Sequence, residues 1–200
     1  MREKKCAYED GIVTLPEVTR IDADDEGGRE KLLADGWREI ELLETWGGPI
    51  DQRQCYWVVR AASYDIEPMK ELARRSFVHD RLHKDAAVGA EEANEAKAAW
   101  VERHSLNTSG LTFVARTIAK QVIGFLCVRL DGSAVIIDLL AVDAGYRRCG
   151  VGDTLIRFAI GCIQPEKIRA GTQETNYGAR CFYQSLGMKP VKAERTFHRP

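Results

Sequence analysis

Six cysteines occur in the 200 residues (Cys6, Cys55, Cys127, Cys149, Cys162 and Cys181), yet no two form a Cys-x-x-Cys pair. The spacing that announces a zinc or dithiol redox site is therefore missing, and no metal is expected. Several of these cysteines lie in apolar segments and read as small hydrophobes. No apolar run approaches the roughly 20 residues that cross a bilayer. The opening "MREKKCAYED" has charge but no apolar core behind it, so no secretory signal is expected and a reducing cytoplasm is the simplest compartment. A surplus of positive charge is lacking too. Lysine and arginine number 29 against 30 aspartates and glutamates, a net charge of -1, which speaks against a nucleic-acid partner. Neither repeats nor low-complexity tracts interrupt the chain.

What is there is ordinary globular patterning in two parts. Residues 1–52 read as a small N-terminal α/β unit: a strand near "GIVTL", a helix around "REKLLADG", and a strand "WREIELLETW". In that last strand Ile40 and Leu42 alternate with Glu39 and Glu41, which predicts an apolar inner face and an acidic outer one. "GGPID" breaks the pattern. Residues 55–200 follow as a larger domain. "CYWVVRAA" predicts a strand. "YDIEPMKELARRSF" predicts a helix capped by Asp65, and residues 89–103 a helix carrying Trp100. Three strands come next ("LTFVARTIA", "QVIGFLCVRL", "AVIIDLLAVD"), the last two joined by a "DGS" turn. Then helix, strand, helix and strand alternate to the end. The order predicts a mixed α/β sheet flanked by helices.

The stretch "YRRCGVGDTL" joins the apolar strand to a helix. A helix N-terminus offers free N–H groups and partial positive charge, and glycines let an anion come close. Arg147 to Gly152 therefore reads as a phosphate or pyrophosphate seat. A nucleoside triphosphate loop is disfavoured, because Val151 and Gly152 stand where Lys and Ser/Thr would be needed. The dinucleotide fingerprint fails at Leu155. What survives is Arg-x-x-Gly-x-Gly: Arg147, Gly150 and Gly152.

In its context this motif resembles the GNAT superfamily of acetyl-CoA-dependent N-acetyltransferases. "AVIIDLLAVDAGYRRCGVGDTLIRFAI" is similar to that family's central block, and "TQETNYGARCFYQSLGM" to its closing one, with Asn176, Ala179, Tyr183 and Gly187 in place. The resemblance covers residues 56–200. It implies a mostly antiparallel central sheet with a splayed strand pair, residues 1–52 being a truncated appendage. It implies acetyl-CoA as co-substrate. Backbone of Leu140, Ala141 and Val142 would line the acyl-pantetheine. The loop Arg147, Arg148, Cys149, Gly150, Val151, Gly152 and Asp153 would hold the pyrophosphate, and Asn176, Ala179 and Tyr183 the cofactor arm. A homodimer is the family's common habit.

N-acetyl transfer needs a neutral amine, a stabilised oxyanion and a protonated leaving thiolate. Tyr183 is the candidate general acid, since a phenol of ordinary pKa about 10 is protonated at neutral pH. Asp138, expected to share a strand face with Leu140 and Val142, is the candidate base; it reads equally as a buried carboxylate tied to its surroundings. His79, His83 and His104 lie where an acceptor would be covered, and each also fits an ordinary surface or core position. Arg74, Arg75, Arg81 and Lys84 read as a charged helix face, with a nucleotide-sugar diphosphate as their other reading. A narrower resemblance, to bacterial TDP-fucosamine acetyltransferases, rests on the N-terminal unit, "DIEPMKELARRSFVHDRLHKD" and "GTQETNYGARCFYQSLGMKP"; "GARCF" departs from that pattern. It implies an amino-deoxysugar acceptor. Another small amine, a protein N-terminus, or a non-catalytic acyl-CoA-binding role stand beside it.

Overall fold

The structure, a computed structural model, describes residues 17–48, 58–107 and 110–199. The "GIVTL" strand, Cys6, Cys55, the start of "CYWVVRAA" and most of "GGPID" lie outside the described residues. Eight strands, β1 (Val18–Asp22), β2 (Arg38–Gly48), β3 (Val58–Arg60), β4 (Gly110–Arg116), β5 (Val122–Asp131), β6 (Ala134–Val142), β7 (Lys167–Gln173) and β8 (Lys189–His198), form one sheet in the order β1-β8-β2-β7-β6-β5-β4-β3. All neighbours are antiparallel except β6 and β7. This is the mixed, mostly antiparallel sheet that the sequence predicts. The segment expected as a separate appendage is laid into it. β2 pairs with β7 on one side and β8 on the other, and β1 extends the edge beyond β8.

Six helices accompany the strands: α1 (Glu26–Ala34), α2 (Ile66–Ser76), α3 (Arg81–Lys84), α4 (Ala90–Leu106), α5 (Val151–Ile163) and α6 (Tyr177–Ser185). Two apolar cores result, one on each face. Val151, Leu155, Ile156, Ala159 and Ile160 of α5, with Tyr183 of α6, pack on Phe113, Leu126, Val128, Val135, Ile137 and Ile168. Met69, Leu72 and Ala73 of α2 and Val101 of α4 pack on Val114, Phe125, Cys127, Leu139 and Ala141. Helical spacing of apolar residues on α2 and α5 gives each helix one buried face. Asp65 does precede α2, but its side chain does not cap the helix. It accepts from Ala62 N at 2.7 Å and pairs with Arg116, whose Nε lies 2.9 Å away. Gly132, with φ of 60°, opens the two-residue turn between β5 and β6 that its sequence predicts. Of the cysteines described, only Cys127 is buried; Cys149, Cys162 and Cys181 are exposed, so the small-hydrophobe reading holds for Cys127 alone.

Two irregularities shape the site. In β5–β6, Cys127 pairs with Leu139 while Val128 pairs with Ile137, leaving Asp138 as an extra residue in β6. Such a bulge turns side chains to the opposite face. Val135 and Ile137 lie in the α5-side core, whereas beyond the bulge Leu139 and Ala141 lie in the α2-side core and Leu140 and Val142 touch the α5 side. In β2–β8 a second shift falls between Glu39 and Glu41.

Candidate active site

β6 and β7 part company. Their pairing runs only from Ala134↔Lys167 to Ile137↔Ala170, although both strands continue. Past that point Leu140, Ala141 and Val142 keep β5 on one side and have no ladder partner on the other. A cavity of about 940 Å³ opens at this gap. It reaches both faces of the sheet: Asn176, Ala179 and Tyr183 line it from the α6 side, Trp100 and His104 from the α4 side. This is the splayed strand pair that the resemblance implies, and it brings Asp138, Leu140, Asn176, Ala179 and Tyr183 together.

Helix α6 positions three of these. Asn176 is its N-cap, and Oδ1 accepts from Ala179 N at 3.2 Å. Ala179 and Tyr183 follow at i+3 and i+7, one helical face. The Tyr183 phenol is 5% exposed, and burial pushes its pKa well above the ordinary value of 10. It thus keeps its proton throughout the physiological range. Phe182 lies beside it, ring centroids 5.5 Å apart.

Asp138 does not share a face with Leu140 and Val142, as strict alternation predicts. The bulge aims it toward α4. There Oδ2 lies 3.3 Å from His104 Nε2, within ion-pair reach but off hydrogen-bond geometry, and Oδ1 accepts from Arg129 Nε at 3.0 Å. His104 is buried, and its Nδ1 is 3.4 Å from Thr112 Oγ1. Gly110 backs the imidazole so closely that a Cβ there would sit 2.7 Å from Cε1.

The loop before α5 lies apart from this cavity. Arg147, Arg148, Cys149 and Gly150 are exposed. Arg148 and Gly150 hold left-handed backbone, φ of 65° and 80°. Gly150 is the N-cap of α5 and supplies no side chain to its first amides, those of Val151, Gly152 and Asp153. A Cβ at Gly150 would meet nothing within 4 Å, so the space above these amides is open. Gly152 has a packing role as well: a Cβ there would lie 3.0 Å from Phe182 Cζ, so the bare glycine lets α6 lie against α5. The Arg147 guanidinium returns to Val142 O at 3.2 Å, tying the loop to the end of β6, and the Asp153 carboxylate pairs with Arg157 at 2.8 Å.

Of the basic residues weighed for a diphosphate, Arg81 alone lines the cavity. Arg74 pairs with Glu71 and Glu95, Arg75 with Asp143, and Lys84 donates to Thr175. His83 is held by Asp80 at 2.6 Å and Asn94 at 2.9 Å. Sequence reasoning missed the polar floor of the cavity. Lys97 is 5% exposed, its ammonium 3.4 Å from Asp80 and 4.8 Å from the centre of the Trp100 ring, and burial lowers its pKa. Trp100 thus lines the cavity besides packing. Glu41, predicted to face outward, is 6% exposed and faces the cavity with Leu43 and Thr45. No group of three or more His, Cys, Asp or Glu side chains among the described residues is placed to hold a metal. No helix among them is long and apolar enough to cross a membrane.

Comparison with known proteins agrees with this architecture. Residues 108–190 match the model of the acetyltransferase (GNAT) domain family. The spore coat polysaccharide biosynthesis protein SpsD of Bacillus subtilis is 29% identical over 137 residues, 67% of this chain and 47% of that protein. The chain therefore spans about half the length of that curated relative. Among solved structures, a GCN5-related N-acetyltransferase from Sphaerobacter thermophilus superposes with a TM-score of 0.62 at 14% identity, over 92% of this chain and 60% of that one. PaiA N-acetyltransferase from Thermoplasma acidophilum, in complex with coenzyme A, gives 0.54 at 17% identity, over 72% and 98%. The stretch that matches the acetyltransferase (GNAT) domain model thus lies in a sheet of the same fold as these N-acetyltransferases, which the chain completes with strands from both sides of the matched residues.

Proposed function

We propose that this chain transfers the acetyl group of acetyl-CoA to the primary amine of a small acceptor, a nucleotide-linked amino-deoxysugar being the preferred one. The observation that carries the reading is the parting of β6 and β7 over a cavity that holds a protonated, buried Tyr183 on one side and Asp138 with His104 on the other. The domain match supports the donor, and the polysaccharide-biosynthesis name of SpsD supports a sugar acceptor.

The residues present suit coenzyme A. Val151, Gly152 and Asp153 present uncapped amides to a diphosphate, with open space at Gly150. Leu140, Ala141 and Val142 leave one backbone edge without a strand partner, suited to an extended amide-bearing arm and to an oxyanion. Bound there, acetyl-CoA would supply the thioester acyl group and a thiol leaving group. The chain's own residues do the rest. Asp138, steadied by Arg129, and His104 Nε2 receive the amine's proton, directly or through water. Tyr183 holds a proton on Oη for the departing sulfur. Asn176 fixes the start of α6 and so the place of Tyr183. A homodimer and a cytoplasmic location complete the proposal.

The test is a panel of TDP-linked amino-deoxysugars, free amino sugars, polyamines, amino acids and N-terminal peptides, scored by release of free thiol from acetyl-CoA. Turnover with the nucleotide-linked sugars above the others is expected. Turnover of simple amines alone would overturn the acceptor; tight acetyl-CoA binding with no turnover would favour a binding module.

A further inference from the structure

We infer that Glu41 reads the far end of the acceptor, its carboxylate accepting a hydrogen bond from a hydroxyl that the acceptor carries well over about 10 Å from its reactive amine. This deepens the N-acetyltransferase reading and rests on it.

Glu41 lines the cavity from β2, yet the protein leaves it poorly satisfied. Oε1 receives one long hydrogen bond, from Thr196 Oγ1 at 3.4 Å, and Oε2 is buried with no hydrogen-bond partner. A buried carboxylate oxygen is normally met by a donor, and its desolvation is costly when it is not. Rotation about the last side-chain torsion exchanges the two oxygens, so either can be turned to the cavity.

The surroundings choose the donor. Arg20, Arg81 and Lys97 face Glu41, with Asp80 the opposing acid. Another ammonium would enter among three cations, whereas a neutral hydroxyl meets no such repulsion. The rings of Trp100 and Phe77 line the same cavity, with the Lys97 ammonium 4.8 and 5.5 Å from their centres, so the acceptor passes an aromatic wall on its way.

Register gives the reach. Ile137, Ala170 and Trp46 lie level across β6, β7 and β2, and with Asp138 bulged out Leu140 falls about level with Thr172 and Glu44. Glu41 is three residues further along β2, about 10 Å, and β2 lies two strand spacings from β6, at least about 10 Å where β6 and β7 part. An amine placed at the β6–β7 gap is thus separated from Glu41 by more than one sugar ring.

The experiment compares steady-state kinetics of wild type, Glu41→Gln and Glu41→Ala on two acceptors: a TDP-linked amino-deoxysugar and the methyl glycoside of the same sugar. Thermal melting and acetyl-CoA calorimetry run beside it. Both variants are expected to raise KM for the TDP-linked acceptor about tenfold or more, the size of one hydrogen bond to a charged group. Expected to stay unchanged are kcat, KM for acetyl-CoA and all kinetics of the methyl glycoside, while melting shows Glu41→Gln to be at least as stable as wild type and so correctly folded. Equal losses on both acceptors, or none on the long one, would overturn the role of Glu41 while leaving N-acetyl transfer intact. Wild type inactive on both would instead remove the amino-sugar acceptor, and this inference with it.

Discussion

Gly150 tests the coenzyme site with one backbone position. Its φ of 80° lies in the left-handed region, and a Cβ would touch no atom within 4 Å. The cost of alanine here is thus conformational, not steric. An L-residue in this region costs about 1–2 kcal/mol. The loss of unfolded-chain freedom returns about 0.4–1 kcal/mol. Gly150→Ala should therefore destabilise by about 1 kcal/mol, lowering Tm by about 2–4 °C for a chain of this size. Gly150→Asn should cost less, because asparagine tolerates this backbone. Gly150→Glu should melt close to the alanine variant, yet weaken acetyl-CoA binding at least about tenfold, since its carboxylate occupies the open space at the uncapped amides. Circular dichroism melting and titration calorimetry read the two effects separately. A glutamate variant that binds acetyl-CoA as tightly as wild type would refute the diphosphate seat. An alanine variant as stable as wild type would refute the strain argument.

Tyr183→Phe should cut kcat about a hundredfold, within the range of lost acid–base assistance, and leave acetyl-CoA affinity within twofold; unchanged turnover would remove the phenol from the reaction. Because burial raises the pKa of Tyr183 above its ordinary value of about 10, its ionisation should not lower the rate up to about pH 9; a fall there in wild type that the variant lacks would refute the raised pKa. Burial also raises the folded pKa of Glu41 above the ordinary glutamate value of 4.5. The folded state then binds more protons than the unfolded one above that value, so the acid costs stability as pH rises. The Tm advantage of Glu41→Gln over wild type should grow from pH 4.5 to pH 7, and a shrinking advantage would reverse the sign argued here. Asp65→Ala leaves the largely buried Arg116 unpaired and Ala62 N without its acceptor, so a loss of about 3 kcal/mol is expected by chemical denaturation. A loss under about 1 kcal/mol would show the pair to be dispensable.

The parts of the site carried by contiguous sequence were legible. Asn176, Ala179 and Tyr183 lie on one helix, where spacing alone sets the face, and the strand–glycine–helix passage from Ala134 to Ile160 is written in local chemistry. Asp138 was legible as a residue but not as a direction. It sits among Ile136, Ile137, Leu139 and Leu140, so the apolar run gives no sign of the extra residue that reverses the strand's faces. Glu41 was misread for a related reason. Alternation says which residues share a face, not which face is buried, and the cations near Glu41 come from distant segments: Arg20, Arg81 and Lys97. The packing of Gly152 against Phe182 was not legible, because it bridges two helices that local sequence does not relate.

The wedging of β2 between β7 and β8 has a consequence for how the molecule is made. Glu41 meets Thr196 across 155 residues of chain. A ribosome delivers β2 well before either β7 or β8, the strands that flank it. Until then its apolar Leu43 and Trp46 must wait without a home, exposed to wrong partners, and the β2 wall of the cavity takes shape only once β7 and β8 have been made.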